Sequence, residues 1–259
     1  MKDIEDSRLE FWNSRANLGL AAGSNDVNLK MLEMDNLCAH IKEAIDVLDA
    51  GCGNGATATK ILQAFPDIIL SAFDYSDEMV KATEKLAKEA GVSERLSVQT
   101  GDLLSPPFSG QKFDIIYTER SLINLDSFDA QMLAISRLSD RLKPDGRIVL
   151  CESFIDGLNE INSFRGPLGL GLIEPPWHNN YFDMDRLVKG LPSHLRIEAV
   201  DNFSSTYYFI SRVVNAWLAL QRGSDPSYDD PINKISFVLP SINVCAQTKI
   251  VIICKNESS

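Results

Sequence analysis

The chain has 259 residues, 44% hydrophobic and 24% charged, a size and balance suited to one large α/β domain or to a domain carrying an inserted subdomain. Its formal net charge of -11 at pH 7 repels phosphate backbones, so nucleic acid is not an expected partner. No apolar run approaches the ~20 residues of a membrane span, and Met1 to Asp6 lacks the apolar core of a signal peptide, so a cytoplasmic protein is expected.

Apolar periodicity parses the chain into alternating strands and helices. The stretch before Ala44, including Phe11 to Ile41, stands outside the alternation and reads as an N-terminal helical cap (1–43). A cofactor-binding core follows (44–153). It opens with a strand at Ala44 to Asp49, a glycine loop Gly51-Cys52-Gly53-Asn54-Gly55 and a helix from Thr57 to Phe65. Ile68 to Phe73 is the second strand. Ser76 is placed to cap a helix over Asp77 to Ala90, where Met79, Ala82, Thr83, Leu86 and Ala90 share one stripe and Gly91 ends it. Further strands are predicted at Arg95 to Gln99, Phe113 to Tyr117 and Arg147 to Glu152, with a helix from Ser127 to Leu142 and a turn at Lys143 to Gly146.

The last segment (154–259) starts with a Gly/Pro-rich stretch, Phe154 to Tyr181, that reads as a lid. A strand at Arg196 to Asn202, a helix at Tyr208 to Leu220, an inserted loop at Gly223 to Pro240 and a strand at Lys249 to Cys254 complete it. Strands alternating with helices at this spacing imply a doubly wound, mostly parallel sheet covered on both faces. Ligands in such sheets bind beyond the carboxyl ends of the strands. Asp49 to Gly55, Asp74, Asp102, Thr118 to Leu125 and the segment after Glu152 all fall there.

A glycine loop between a buried strand and a helix lets backbone approach a ligand, and the helix offers unpaired N–H groups. Glycines at 51, 53 and 55 depart from the G-x-G-x-x-G spacing of dinucleotide folds. Asp74 is placed to accept from both ribose hydroxyls of an adenosine, Tyr75 and Met79 to flank the adenine, and Asp102, followed by Leu103, to accept from its exocyclic amine. Val47 to Gly55, then Asp74, Gly101-Asp102 and Phe113 to Tyr117, resembles the class I S-adenosylmethionine-dependent methyltransferases in order and spacing. The resemblance covers roughly residues 44–153. It implies a seven-stranded Rossmann-like sheet and S-adenosyl-L-methionine as cofactor. It assigns the methionine part to Gly51 and Gly53, with Asp49, Cys52 and Asn54 alongside, the ribose to Asp74 and the adenine to Asp102. Thr118 and Glu119 become neighbours of the methionine end, and Arg15 is placed near its carboxylate.

More loosely, Thr118 to Leu125 and Pro176 to Phe182 are similar to stretches of methyltransferases of polysaccharide and small-molecule pathways. The N/D-P-P-Y/F/W signature of exocyclic-amine methylation is absent after the fourth strand, where Thr118-Glu119-Arg120-Ser121 stands. Glu174-Pro175-Pro176-Trp177 has similar letters in the wrong place. The expected acceptor is therefore a small molecule or saccharide, methylated at oxygen, with the protein a monomer or homodimer.

His178 is the first choice of base, set against the alternative that it only ties a Pro-rich turn together. Arg120 is placed to pair with an acidic group of the acceptor or with Glu119 or Glu152. Glu152 is a further catalytic candidate, or a residue that orders a neighbouring loop. His40, His194 and Cys52 read as structural. Phe11 and Trp12 read as core contacts, or as a cap over the cofactor. Five cysteines without a C-x-x-C pair or interleaved histidines argue against disulfides and zinc, and no metal is expected. Two rivals share much of this pattern: an NAD(P)-dependent oxidoreductase, and a non-catalytic binding protein that keeps the cofactor fold.

Overall fold

A computed structural model describes residues 4–256; Met1 to Asp3, part of the expected N-terminal cap, lie outside the described residues. Seven strands form one sheet in the order β3-β2-β1-β4-β5-β7-β6. They are β1 (Asp46–Ala50), β2 (Ile69–Asp74), β3 (Leu96–Thr100), β4 (Phe113–Glu119), β5 (Leu142–Ser153), β6 (Leu195–Asp201) and β7 (Thr248–Lys255). Strands β1 to β5 pair in parallel, and β7 runs antiparallel between β5 and β6. The reversal of strand order between β1 and β4 leaves a crevice at their carboxyl ends, where the chain leaves β1 to one side and β4 to the other.

Helices cover both faces. On one face α2 (Val27–Ile41), α3 (Ala56–Ala64) and α4 (Asp77–Glu89) bury Leu37, Ile41, Ala58, Ile61 and Ala87 against Val47, Leu70, Ala72, Ile115 and Tyr117. On the other, α5 (Phe128–Ser139) and α7 (Met184–Gly190) bury Ala134, Ile135, Leu138 and Leu187 against Leu48, Ile116, Ile148 and Leu150. Neighbours along a strand thus serve opposite cores, as the pleat requires. Ser76 caps α4 by accepting the Met79 N–H, and Ser127 caps α5 through Ala130 N–H.

The structure corrects three expectations. Lys143 to Gly146 is a bulge within β5, not a separating turn: the register with β4 jumps from Phe113–Leu142 to Ile115–Arg147. The stretch Phe154 to Tyr181 is only partly a lid, because α6 (Ile155–Arg165) continues directly from β5. The predicted helix at Tyr208 to Leu220 is α8 (Ser205–Tyr208) and α9 (Asn215–Arg222) joined through a π-helical turn, Phe209–Val214. The inserted loop after Gly223 contains a 3-10 turn at Pro231–Phe237.

A buried carboxylate ties the N-terminal section to α8 and the π-helical turn. Asp26, wholly buried, caps α2 by accepting from Leu29 N–H at 3.0 Å. It also receives the Tyr207 hydroxyl and, at 2.7 Å, the Arg212 guanidinium, which the rings of Tyr208 and Tyr228 flank. Removing Asp26 strands a buried cation, and such a loss costs about 3–5 kcal/mol. Asp26→Ala is expected to lose stability on that scale by urea unfolding, whereas Asp26→Asn, which keeps an acceptor, should lose less.

Candidate active site

A cavity of about 330 Å³ opens at the carboxyl ends of β1, β2 and β4, within the size range of small-ligand sites. Its floor is the glycine loop. Gly51 and Gly55 both have positive φ, 87° and 77°. A Cβ on Gly51 would lie 2.4 Å from Ser121 Cβ, and one on Gly55 2.6 Å from the Thr83 side chain, so the loop packs too tightly against β4 and α4 for any other residue. At Gly53 a Cβ would meet nothing within 4 Å; here the backbone itself faces open space in the cavity wall.

Asp74 shapes this floor. Its Oδ2 accepts from Gly53 N–H at 2.8 Å and its Oδ1 from Ser76 N–H at 2.9 Å. Burial raises its pKa and the backbone donors pull it back. Each oxygen keeps a lone pair for a further donor from the cavity. Next to it lie Tyr75, more than half exposed, and Met79, buried. Asp102 and Leu103 follow, with Asp102 Oδ1 taking Leu104 N–H at 2.8 Å. Cys52 and Asn54 complete this end. Asn54 Nδ2 donates to Gly19 O at 2.8 Å, and burial drives the Cys52 thiol well above its ordinary pKa, so it fills space as a thiol.

At the β4 end Glu119 and Arg120 line the cavity. Glu119 accepts from Lys30 Nζ at 2.6 Å and from Thr57 Oγ1 at 2.5 Å. Burial raises its pKa, but Lys30 and Arg120 outweigh that and hold it low. Arg120, in the left-handed region at φ 51°, sets its guanidinium 3.0 Å from Glu33 Oε2. The ion partner of Arg120 is thus Glu33 on α2, and not Glu119 or Glu152 as the sequence suggests. Above them, His178 lines the cavity among the rings of Phe11, Trp12 and Trp177, at centroid distances of 4.4, 5.5 and 5.2 Å. Its Nδ1 is buried without a partner among the described residues. Burial lowers its pKa below the ordinary 6.5, and Arg8 and Arg15 lower it further, so the imidazole is neutral at pH 7.

Four sequence candidates lie outside the cavity wall. Asp49 shares the parity of Val47, so its carboxyl projects to the α2/α3 face, where Tyr117 donates to it. Thr118 is fully buried beneath the site. Glu152 is also fully buried and is occupied by the 3-10 turn Leu122–Asn124, accepting from Ser121 N–H at 3.2 Å, Leu122 N–H at 3.0 Å and Ile123 N–H at 3.4 Å. Burial raises its pKa to about 7. It orders the loop, the alternative weighed for it, and has no face toward a ligand. Arg15 donates to Ala21 and Ala22 carbonyls, fastening α1 (Ile4–Arg15) to the turn at Gly19–Ala21.

The sequence reading missed Arg8, Lys30 and Glu33. Arg8 lines the cavity and pairs with Asp126 across its mouth. Lys30 and Glu33 share a face of α2, and Glu33 takes a position in the buried stripe Glu33, Leu37, Ile41. An acid where the helix period calls for an apolar residue was the available signal. Among the described residues no group of three or more His, Cys, Asp or Glu is arranged to hold a metal ion, and no helix is long and apolar enough to cross a membrane.

Comparisons with known proteins bear on the family and the fold. Residues 47–146 match a family described as a methyltransferase domain. The chain is 30% identical over 106 residues to a sterol 24-C-methyltransferase of Aspergillus fumigatus, covering 41% of this chain and 27% of that protein. It is 33% identical over 110 residues to nocamycin O-methyltransferase of Saccharothrix syringae, covering 42% and 38%. It spans less than half the length of either relative. In fold it is similar to the CcbJ methyltransferase from Streptomyces caelestis, with a TM-score of 0.60 at 12% identity over 87% of this chain and 90% of that one.

Asp49 yields a test of the buried floor. Burial raises its pKa to about 8, against the lowering effect of the Tyr117 hydrogen bond. The unfolded chain releases this proton near pH 4, about four units earlier, so stability falls as pH climbs between the two values and levels off above about 8. Asp49→Asn removes that dependence. The stability of Asp49→Asn relative to wild type should rise steadily from pH 5 to pH 8 in denaturant titrations; parallel curves would show that Asp49 ionises normally in the folded protein.

Proposed function

We propose that this chain, whose residues 47–146 match a methyltransferase domain, is a class I S-adenosylmethionine-dependent methyltransferase that methylates an oxygen of a small-molecule or saccharide acceptor with His178 as the base. The observation that carries this reading is the neutral, partly desolvated imidazole of His178 in the wall of the cavity whose other end is organised by Asp74 and Asp102. The residues present fit the cofactor. Gly53 exposes backbone to open space, and the spare lone pairs of Asp74 suit a ribose diol. Asp102 suits the adenine amine, with Tyr75 and Met79 beside it. Asn54, Cys52 and Leu103 complete the surround.

The cofactor supplies a methyl group on a positive sulfur, an electrophile whose leaving group needs no acid. The protein's tasks are therefore alignment and removal of one proton from a hydroxyl acceptor. Phe11, Trp12 and Trp177 hold the His178 ring from three sides, and the ring lines the cavity into which an acceptor hydroxyl would be presented. Asn124 and Asn179, both in the cavity wall, offer neutral polar contacts to an acceptor. Relatives that methylate carbon and oxygen share the cofactor half, so the acceptor atom rests on His178 rather than on the family.

His178→Gln is expected to lower kcat by about 10²- to 10⁴-fold, the usual contribution of a positioned base, while calorimetric binding of S-adenosylhomocysteine stays within a few fold. In the wild type, kcat/KM should fall as pH drops through a pKa below 6.5 and be flat above it, because only the neutral imidazole accepts a proton. A profile unchanged by the substitution would remove His178 from the chemistry. Asp74→Ala should weaken S-adenosylhomocysteine binding at least tenfold with the fold intact by circular dichroism; unchanged affinity would sink the ribose assignment.

A further inference from the structure

Beyond the glycine loop the cavity ends in a set of alternating charges: Glu119, Lys30 and Arg120 in the wall, with Glu33 buried directly behind Arg120. Lys30 and Thr57 each donate to one oxygen of Glu119, which keeps a lone pair on each for a further donor. The Arg120 and Glu33 pair is different. Both Glu33 oxygens are buried without a directed hydrogen bond, so the 3.0 Å contact with Arg120 is held by charge alone. The guanidinium has this carboxyl on one side and the cavity on the other. Gly23 passes close above it, where a Cβ would come within 3.2 Å of Nη2.

Such a site has room and charge for a zwitterion, an ammonium toward Glu119 and a carboxylate toward Arg120. The resemblance already sets the methionine end of the cofactor beside Glu119; we propose that its carboxylate falls on Arg120 and that Glu33 is the displaceable counter-ion of Arg120, taking up a proton when that carboxylate arrives. This rests on the methyltransferase reading and moves Arg120 from the acceptor, where the sequence placed it, to the cofactor. Glu33 is then a positioning residue. It keeps the buried guanidinium paired in the free protein and releases it to the ligand.

The charges around Glu33 favour this exchange. Arg120 and Glu119 face it from β4, Lys30 and Asp26 from its own helix and cap, Tyr208 from α8 and Cys151 from β5. Burial raises its pKa to about 7, Arg120 opposing, so at neutral pH it is already half protonated. A second carboxylate on Arg120 adds negative charge and pushes the remaining fraction to the neutral form.

Calorimetric titration with S-adenosylhomocysteine at pH 7, in phosphate and in Tris, reads the proton count from the buffer dependence of the heat. Uptake of up to about half a proton per site is expected at pH 7, declining toward zero at pH 5, where Glu33 is protonated beforehand. 5′-Methylthioadenosine, which lacks the amino-acid end, should bind without uptake, and Glu33→Gln should bind S-adenosylhomocysteine without it. Equal proton counts for the two nucleosides would assign the uptake elsewhere, to another buried acid such as Glu152 or Asp49, and overturn the proposal. So would uptake that persists in Glu33→Gln. The comparison of the two nucleosides on wild type decides the matter even if that variant does not fold. Failure of both nucleosides to bind would instead overturn the methyltransferase reading.

Discussion

The site depends first on the Asp74 carboxylate. It ends β2, fixes Gly53 of the loop after β1 through one oxygen, and through the other holds Ser76, whose hydroxyl caps α4. One side chain thereby joins the glycine floor to the start of the helix beside it. The surrounding close approaches follow from that placement. Gly51 is drawn against Ser121 of the β4 loop and Gly55 against Thr83 of α4. A negative charge at this point is tolerable in spite of burial because backbone N–H groups already share it.

A second constraint is the number of acids beneath the floor. Asp49, Glu33 and Glu152 are all fully buried, and burial raises each toward neutrality at pH 7. Each has a different means of being borne: a tyrosine hydroxyl for Asp49, three backbone N–H groups for Glu152, an arginine for Glu33. The first two are enclosed in single-element loops or strands and act as fixed supports. Glu33 is paired with a charged side chain that itself lines the cavity, which makes it an acid through which a charged ligand can alter the charge under the floor.

The cofactor half was legible because its information is local. Gly51, Gly53, Asp74 and Asp102 stand at consecutive strand ends, and their order survives projection onto the sequence. The places where the reading went astray have physical causes. Asp49 and Glu152 sit at strand ends by number, but the two-residue period of the strand turns them away from the crevice; counting from Val47 and Leu150 shows this parity. Lys143 to Gly146 has the letters of a turn, yet it forms a bulge inside β5, where Gly146 lies so close to the Phe113 and Asp114 carbonyls that a Cβ would clash. Lys30 and Arg8 in the cavity wall, and Glu33 behind it, stand more than 80 residues away from their partners Glu119, Asp126 and Arg120, a closeness that only the folded sheet creates.

The N-terminal helix shows why the acceptor side has no compact motif. Phe11 and Trp12 strip water from His178, Arg8 and Arg15 oppose a positive charge on it, and Arg8 fastens α1 to Asp126 over the mouth of the cavity. The base is thus neutral by virtue of the same contacts that cover it. If α1 were drawn aside, the ring would regain water, lose both repulsions and return toward its ordinary pKa. Enclosure and readiness to accept a proton are therefore one state of the protein, distributed between residues 8–15 and 177–178, and no short run of sequence could have encoded it.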